Sequence, residues 1–350
     1  MHCWLTGGRA TLADMALPTL AIAEVRADDP AAIDAAYDVV EASQHADVPD
    51  LPPECRYHHR MTFAVPPPAL RRHVYLALDG DTPAGSLQLD LPRLDNLDKA
   101  FMEVSVAPGY RRRGVGRALV RHAAAVARDA GRTGVLGFSA ALPAPTGFAA
   151  SFGLTDGLVD ARRRLLVADV DEGELDRLYA DGLERAAGYR MLQWGNELPE
   201  EHIDDIAALD SSFVAESPMG DLEFEPEKVD AERLRRQYAA LTAWGVRRYE
   251  TGLVHEESGR LVAWTAMRVT KTVGWHAWQM ITLVHPEHRG HRLGVVAKVA
   301  NLRALLAAEP AVTTIDTFNA ASNSFMIAIN EAMGFRLREL WSNWQGPLPA

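Results

Sequence analysis

Within these 350 residues one eleven-residue pattern occurs twice. Val106-Ala-Pro108-Gly-Tyr-Arg111-Arg-Arg-Gly114-Val-Gly116 and Val284-His-Pro286-Glu-His-Arg289-Gly-His-Arg292-Leu-Gly294 both read V-x-P-x-x-R-x-x-[G/R]-[V/L]-G. Corresponding positions stand 178 residues apart throughout, about half the chain. A constant offset of that size implies a duplicated domain, so each half must build the same fold from its own residues. At roughly 150 residues per domain the length also allows two.

The flanks repeat as well. Apolar or alternating runs precede each motif (Ala100 to Val106, Trp275 to Val284) and amphipathic runs follow it (Arg117 to Arg128, Val295 to Ala308), which predicts strand, loop and helix in turn. A short strand and a second helix come next in both halves. These are Gly134 to Ala140 with Phe148 to Phe152 ending in Gly153-Leu154, and Val312 to Phe318 with Ser322 to Met333 ending in Gly334-Phe335. Upstream, the pairs His73–Leu78 with Ala84–Leu91, and Arg247–His255 with Leu261–Val269, read as hairpins. Asp171 to Ala187 reads as a linking helix with acids in its first turn, where the helix dipole favours negative charge. The order predicts an α/β (α+β mixed-sheet) protein of two tandem domains, 16–187 and 188–350. Each would be a mostly antiparallel twisted sheet flanked by helices.

Composition narrows the function. With 48% hydrophobic and 24% charged residues the chain folds as an ordinary globular protein. No run approaches the 18 or so apolar residues of a membrane span. The first 20 residues lack a basic start followed by an apolar stretch, so the expected location is cytoplasmic, with Met15 a possible start. A net charge of -11, with both halves acidic, argues against nucleic acid and anionic membranes as partners. Cys3 and Cys55 form neither a disulfide framework nor a metal-ligand spacing, so no metal is expected.

A glycine-bearing loop that leaves a strand and opens a helix offers unpaired N–H groups and a positive helix end to an anion, and phosphate suits it. Arg111, Arg112 and Arg113 in one copy, and Arg289 and Arg292 in the other, would add charge-assisted donors. GxxxxGK[ST] is absent, and Gly114-Val-Gly116 is followed by Arg117-Ala-Leu119, so neither the ATP loop nor the dinucleotide fingerprint is present.

The R-x-x-G-x-G element after a V-x-P strand end resembles the coenzyme A pyrophosphate loop of the GNAT N-acetyltransferase superfamily, and Gly334-Phe335 after an Asn-bearing helix resembles that family's second segment. The doubled arrangement is similar to tandem GNAT proteins of the mycothiol synthase type. The resemblance implies that acetyl-CoA is a cosubstrate. It would be held by Arg111, Arg112, Arg113, Gly114, Val115, Gly116 and Arg117 in the first copy, and by Arg289, Gly290, His291, Arg292, Leu293 and Gly294 in the second. Backbone N–H groups near Val104, Ser105 and Val106, and near Leu283 and Val284, would polarise the thioester carbonyl. Asn319 and Asn323 are further candidate contacts; Asn323 equally suits a helix N-cap.

The copies depart from the family in opposite ways. The first lacks the helix Asn and has Ala149 where the family carries a Tyr. The second has Arg292 at a glycine position, and Asn330 takes the place of that Tyr, which often protonates the leaving thiolate. The implied activity is acetyl-CoA-dependent N-acetylation of a small-molecule amine by direct attack on the thioester. Alternatives are a CoA-binding sensor or scaffold without turnover, and an acyltransferase with another acyl group or a macromolecular acceptor. An alkyl ammonium near pKa 10.4 needs a base at neutral pH. Glu103 is the candidate in the first copy, and His276 and Gln279 are the candidates in the second. Because the second segment frames the reacting carbon, chemistry is expected in the second copy. Tryptophans crowd the second half beside the acidic stretch Asp221, Glu223 and Glu225, which suggests an aromatic, acidic pocket for a cation, although Trp264 and Trp278 also suit a core. A monomer or homodimer fits these features.

Overall fold

A computed structural model describes residues 20–350. The readings made above of residues 1–19, including Cys3 and the absence of a leader, lie outside the described residues. The first repeat runs β1 (Leu20–Glu24), α1 (Pro30–Asp47), α2 (Arg56–Ala64), β2 (Leu70–Asp79), β3 (Thr82–Pro92), β4 (Lys99–Val106), α3 (Val115–Asp129), β5 (Gly134–Ala140), α4 (Pro143–Ala150) and β6 (Thr155–Leu166). After α5 (Glu172–Arg185) the second runs β7 (Tyr189–Trp194), α6 (Ile203–Ser211), α7 (Phe213–Glu216), α8 (Ala231–Ala243), β8 (Val246–His255), β9 (Leu261–Thr270), β10 (His276–Val284), α9 (Leu293–Ala308), β11 (Thr314–Ala320), α10 (Ser324–Ala332) and β12 (Arg336–Pro347). The hairpins, motif strands and motif helices expected from the sequence are all present, mostly within two or three residues.

The repeats do not stay apart. All the strands form one sheet in the order β1-β2-β3-β4-β5-β12-β6-β11-β10-β9-β8-β7. Pairing is antiparallel except β4 with β5 and β10 with β11. The final strands are exchanged: β12 of the second repeat lies on β5 of the first, and β6 of the first lies on β11 of the second. The two exchanged strands also pair with each other, from Arg336 opposite Arg164 to Gln345 opposite Thr155. Such an exchange preserves every local strand pairing that a separate domain would make, so the sequence pattern is indifferent to it.

An ion cluster ties the junction together. The fully buried Arg162 of β6 donates to Asp316 of β11 at 2.8 Å, to Asp50 at 2.7 Å and to both oxygens of Glu339 of β12. Arg164 makes two 2.7 Å hydrogen bonds to Asp316 and one of 3.2 Å to the Asp50 carboxylate. Burial alone would raise the Asp316 carboxyl, but the hydrogen bonds from Arg164 and His276 and the nearby guanidinium charges hold it at about 2.

The core lies on both faces. Helix α3 covers the first repeat's sheet through Val115, Leu119, Ala123 and Ala127. Helix α9 is apolar nearly all round because α5 covers its outer side, with Gly182 against Val296, where a Cβ would meet the Val296 methyl at 2.7 Å. Gly188 lies in the turn from α5 to β7, so α5 precedes residue 188 in the chain while packing on the second repeat. The opposite face carries α1 and α2 at one end and α6 and α8 at the other.

Candidate active site

The two loops have the same backbone shape. Arg112 (φ 62°) and Gly114 (φ 84°) are left-handed in the first, and Gly290 (φ 89°) and Arg292 (φ 54°) in the second. These are equivalent positions under the 178-residue offset, so each loop places one glycine and one arginine in a conformation that costs a non-glycine residue about 1–2 kcal/mol. The strain expected at Arg292 is present, and Arg112 shares it. In each case the left-handed N-cap leads into a helix whose first amides, at Val115 and Gly116 or at Leu293 and Gly294, have no intrahelical acceptor.

The arginines behave differently from expectation. Arg111 faces inward: it makes hydrogen bonds of 2.7 and 3.0 Å to the Asp47 carboxylate and further bonds to Ser43 and to the Val106 carbonyl. It braces the loop against α1 and is not a free phosphate donor. Arg113 stacks over Tyr110, and Arg117 lies near Ser151 and over Phe152. Among the described residues, Arg112, Arg113 and Arg117 have no carboxylate partner, so the first loop keeps its positive charge. In the second loop Arg289 pairs with Glu216, Arg292 pairs with Asp181 at 2.9 Å, and His291 meets the Arg185 carbonyl. Such exposed pairs contribute about 0–1 kcal/mol and can yield to a bound phosphate.

Beyond the loops the parallel strands part at equivalent residues. The β4–β5 ladder ends at Phe101 opposite Leu136, and the β10–β11 ladder ends at Gln279 opposite Thr317. The main-chain groups of Val104, Ser105 and Val106, and of Leu283 and Val284, therefore lie past the closed end of each gap. Their valine and leucine side chains are core. A bulge between Gln279 and Thr282 adds an irregularity at the mouth of the second gap that the first lacks.

Both gaps open on one cavity of about 1080 Å³. From the first repeat it is lined by Phe101, Met102 and Glu103 of β4 and by Leu136, Gly137 and Phe138 of β5. From the second it is lined by Gln279 to Thr282 of β10, by Thr317 to Ala320, and, on the far side of the sheet, by Lys298 of α9 and by Asn323 and Met326 at the start of α10. No residue of α3 or α4 lines it. The cavity thus passes through the sheet at the second gap and stops at the strands of the first. The helix starts differ in the same sense. A Cβ on Gly116 would meet the Phe148 ring at 3.1 Å, whereas one on Gly294 would meet methyls of Val284 and Thr282 at an ordinary 3.6 and 3.7 Å.

Glu103 faces this cavity. It is exposed to the cavity but enclosed by its walls, and that desolvation, with Asp90 nearby, raises its pKa. Glu54 is pushed up to about 7 by burial and by Glu103 and Glu41, and Asp210 to about 6 by burial and by Glu227. Asp160, raised by burial and by Asp156, lines it too, so four carboxylates with raised pKa values line one space, three of which the sequence did not single out. Arg268, also lining it, has no hydrogen-bond partner at Nε, and burial lowers its pKa to about 10.

The other candidates are engaged in the framework, although His276 and Gln279 also line the cavity. His276 stands three residues before Gln279, about 10 Å along the strand on the closed side of the gap, and its Nε2 is 3.1 Å from Asp316, so it belongs to the ion cluster. The Gln279 amide donates to Thr265 and to the Ala266 and Ile281 carbonyls and fixes the bulge. Asn330 is fully buried, does not line the cavity, and donates at 2.6 Å to Asn319, which does. Asn323 caps α10 through the Met326 amide, as its N-cap reading expected, and also lines the cavity. Trp264 is core, bonded to Glu250, while Trp278 stacks on Phe318 in an aromatic wall with Phe138 and Trp341. Asp221, Glu223 and Glu225 do not line the cavity; their loop docks on Gln345, Lys99 and Asn96.

A strand gap next to a helix N-terminus, twice over in one chain, is the architecture of a GNAT-type acyltransferase. Residues 33–144 match the acetyltransferase (GNAT) family model. The whole chain is similar to a tandem GNAT protein from the clavulanic acid biosynthesis pathway, with 29% identity, 95% of this chain and 99% of that chain covered, and a TM-score of 0.79. A GCN5-related N-acetyltransferase from Sphaerobacter thermophilus shares the fold at 15% identity, with 96% and 98% covered and a TM-score of 0.66. None of the curated proteins compared matches the sequence. Residues 33–144 thus carry a match to the GNAT family, and the chain as a whole is similar to a tandem GNAT protein. Among the described residues no helix is long and apolar enough to cross a membrane, and no group of His, Cys, Asp and Glu could hold a metal ion.

Proposed function

We propose that this protein transfers an acetyl group from acetyl-CoA to the amine of a small molecule by direct attack, with the reaction at the second repeat. The observation that carries this reading is the cavity's passage through the sheet between β10 and β11. A donor entering from the α9 side and an acceptor held on the other side would meet there. The pyrophosphate fits the N-terminus of α9 at Leu293 and Gly294. Unpaired main-chain N–H groups beyond Gln279 suit the thioester carbonyl. On the acceptor side the aromatic wall and the carboxylates of Glu54, Glu103 and Asp210 favour a cation, and a carboxylate with a raised pKa can take the ammonium proton before attack. The first loop, with its unpaired arginines, suits a second CoA whose thioester has no such passage.

Acetyl-CoA is expected to raise the thermal midpoint, since a ligand at 100 times its dissociation constant stabilises by about 2.7 kcal/mol. Mass spectrometry of amine panels incubated with acetyl-CoA should show an N-acetylated product. Gly294→Asp should remove most of that turnover by setting a carboxylate against the pyrophosphate. No shift with acetyl-CoA and no product, with ATP and NAD tested alongside, would sink the reading.

A further inference from the structure

Lys298 is the one lysine lining the cavity, and it is 1% exposed. It lies on the inner face of α9, with Nζ 5.7 Å from the centre of the Phe335 ring. It makes no ion pair or hydrogen bond among the described residues. Its equivalent in the first repeat, 178 residues earlier, is the buried Val120, so the fold itself does not call for an amine here. An unpaired buried amine costs stability, and this one opens on the passage where donor and acceptor meet.

We propose that Lys298 is the acid that protonates the departing thiolate at the second repeat, an assignment resting on the reading above that this gap holds the thioester. As the acceptor nitrogen forms its bond to the carbonyl carbon, the carbon–sulfur bond breaks and its electron pair leaves on sulfur. The Lys298 ammonium gives that sulfur a proton and becomes a neutral amine. It is recharged by the proton that the acceptor nitrogen releases, so the products are the amide and free CoA thiol. Asn330 cannot do this, because an amide is no acid at neutral pH and its Nδ2 is held by Asn319. The donor has the right strength: burial alone brings the Lys298 pKa down to about 7, below the thiol range of about 8.5. No charged group on α5, β8, β9 or β10, which pack on α9, contributes to that shift, and the nearby cavity residues Gln279 and Thr317 do not titrate.

The test uses the amine that the panel identifies. Turnover with acetyl-CoA and calorimetric binding of CoA are measured on full-length wild type and on Lys298→Met, which keeps the side-chain volume. The variant should bind CoA as wild type does but lose about 100-fold or more of kcat, and an acetyl thioester of an acidic aryl thiol, whose thiolate leaves without needing a proton, should recover most of that loss. Equal kcat in both proteins, or a loss that the aryl thioester does not recover, would overturn the role of Lys298 and leave the proposed function standing. Failure of wild type to bind CoA would overturn both. With only four lysines in the chain, acetic anhydride labelling read by mass spectrometry gives a second measure on unmodified protein. Lys298 should label at neutral pH and CoA should protect it; labelling unaffected by bound CoA would also overturn the assignment.

Discussion

Replacing Arg162 with methionine is expected to destabilise the protein by about 3–5 kcal/mol, the cost of leaving a buried ionic partner uncompensated. Arg162 and Asp316 are both fully buried, and Arg162 also satisfies Asp50 and Glu339. The substitution would leave Glu339 without its guanidinium partner at the strand exchange, and leave Asp316 to Arg164 and His276 and Asp50 to Arg164 and Arg338. Denaturant midpoints and slopes would measure it, and a loss under about 1 kcal/mol would mean that water reaches the cluster. The same cluster sets an acid limit. With Asp316 at about 2 in the fold, below its unfolded value near 3.9, its contribution is present above pH 4 and is lost as pH falls through 2. Asp316→Asn should flatten that part of the stability curve.

Lys298→Met should act in the opposite direction and stabilise the protein by about 4 kcal/mol at pH 7. The folded amine titrates at about 7 and the unfolded one near 10.4, so the unfolded chain binds more protons between those values. Stability therefore rises with pH across that window. The penalty is full below pH 7 and vanishes above about 10.4. The methionine variant should be more stable at neutral pH and lack the alkaline rise. An unchanged midpoint would show that the amine is paired or hydrated. Greater stability together with loss of turnover and unchanged CoA binding would separate function from structure at this residue.

The repeat offset accounts for much of the fold, because local periodicity and turn residues decide each hairpin and each motif strand and helix. It could not reveal the exchange of β6 and β12, since both arrangements satisfy the same side-chain alternation. At the site, the loop glycines and the strained Arg292 were legible from spacing alone. The inward turn of Arg111 was not, because its partners Ser43 and Asp47 lie on α1, more than 60 residues away in the sequence. Glu103 was legible as a carboxylate on the motif strand, whereas Glu54 and Asp210 come from segments with no motif and meet it only in the folded cavity. Lys298 left a signal that could have been read: it is the lone charge in the mostly apolar run Leu293 to Leu302, opposite Val120 in the repeat.

The central claim, that the second repeat carries the chemistry, is tested most directly by a crystal structure with an unreactive thioether analogue of acetyl-CoA. The expected result is the analogue's acyl end in the gap between β10 and β11, beside Lys298 and facing the central cavity, whatever the first loop holds. An acyl end lodged between β4 and β5 beside Glu103, with the β10–β11 gap empty, would contradict it.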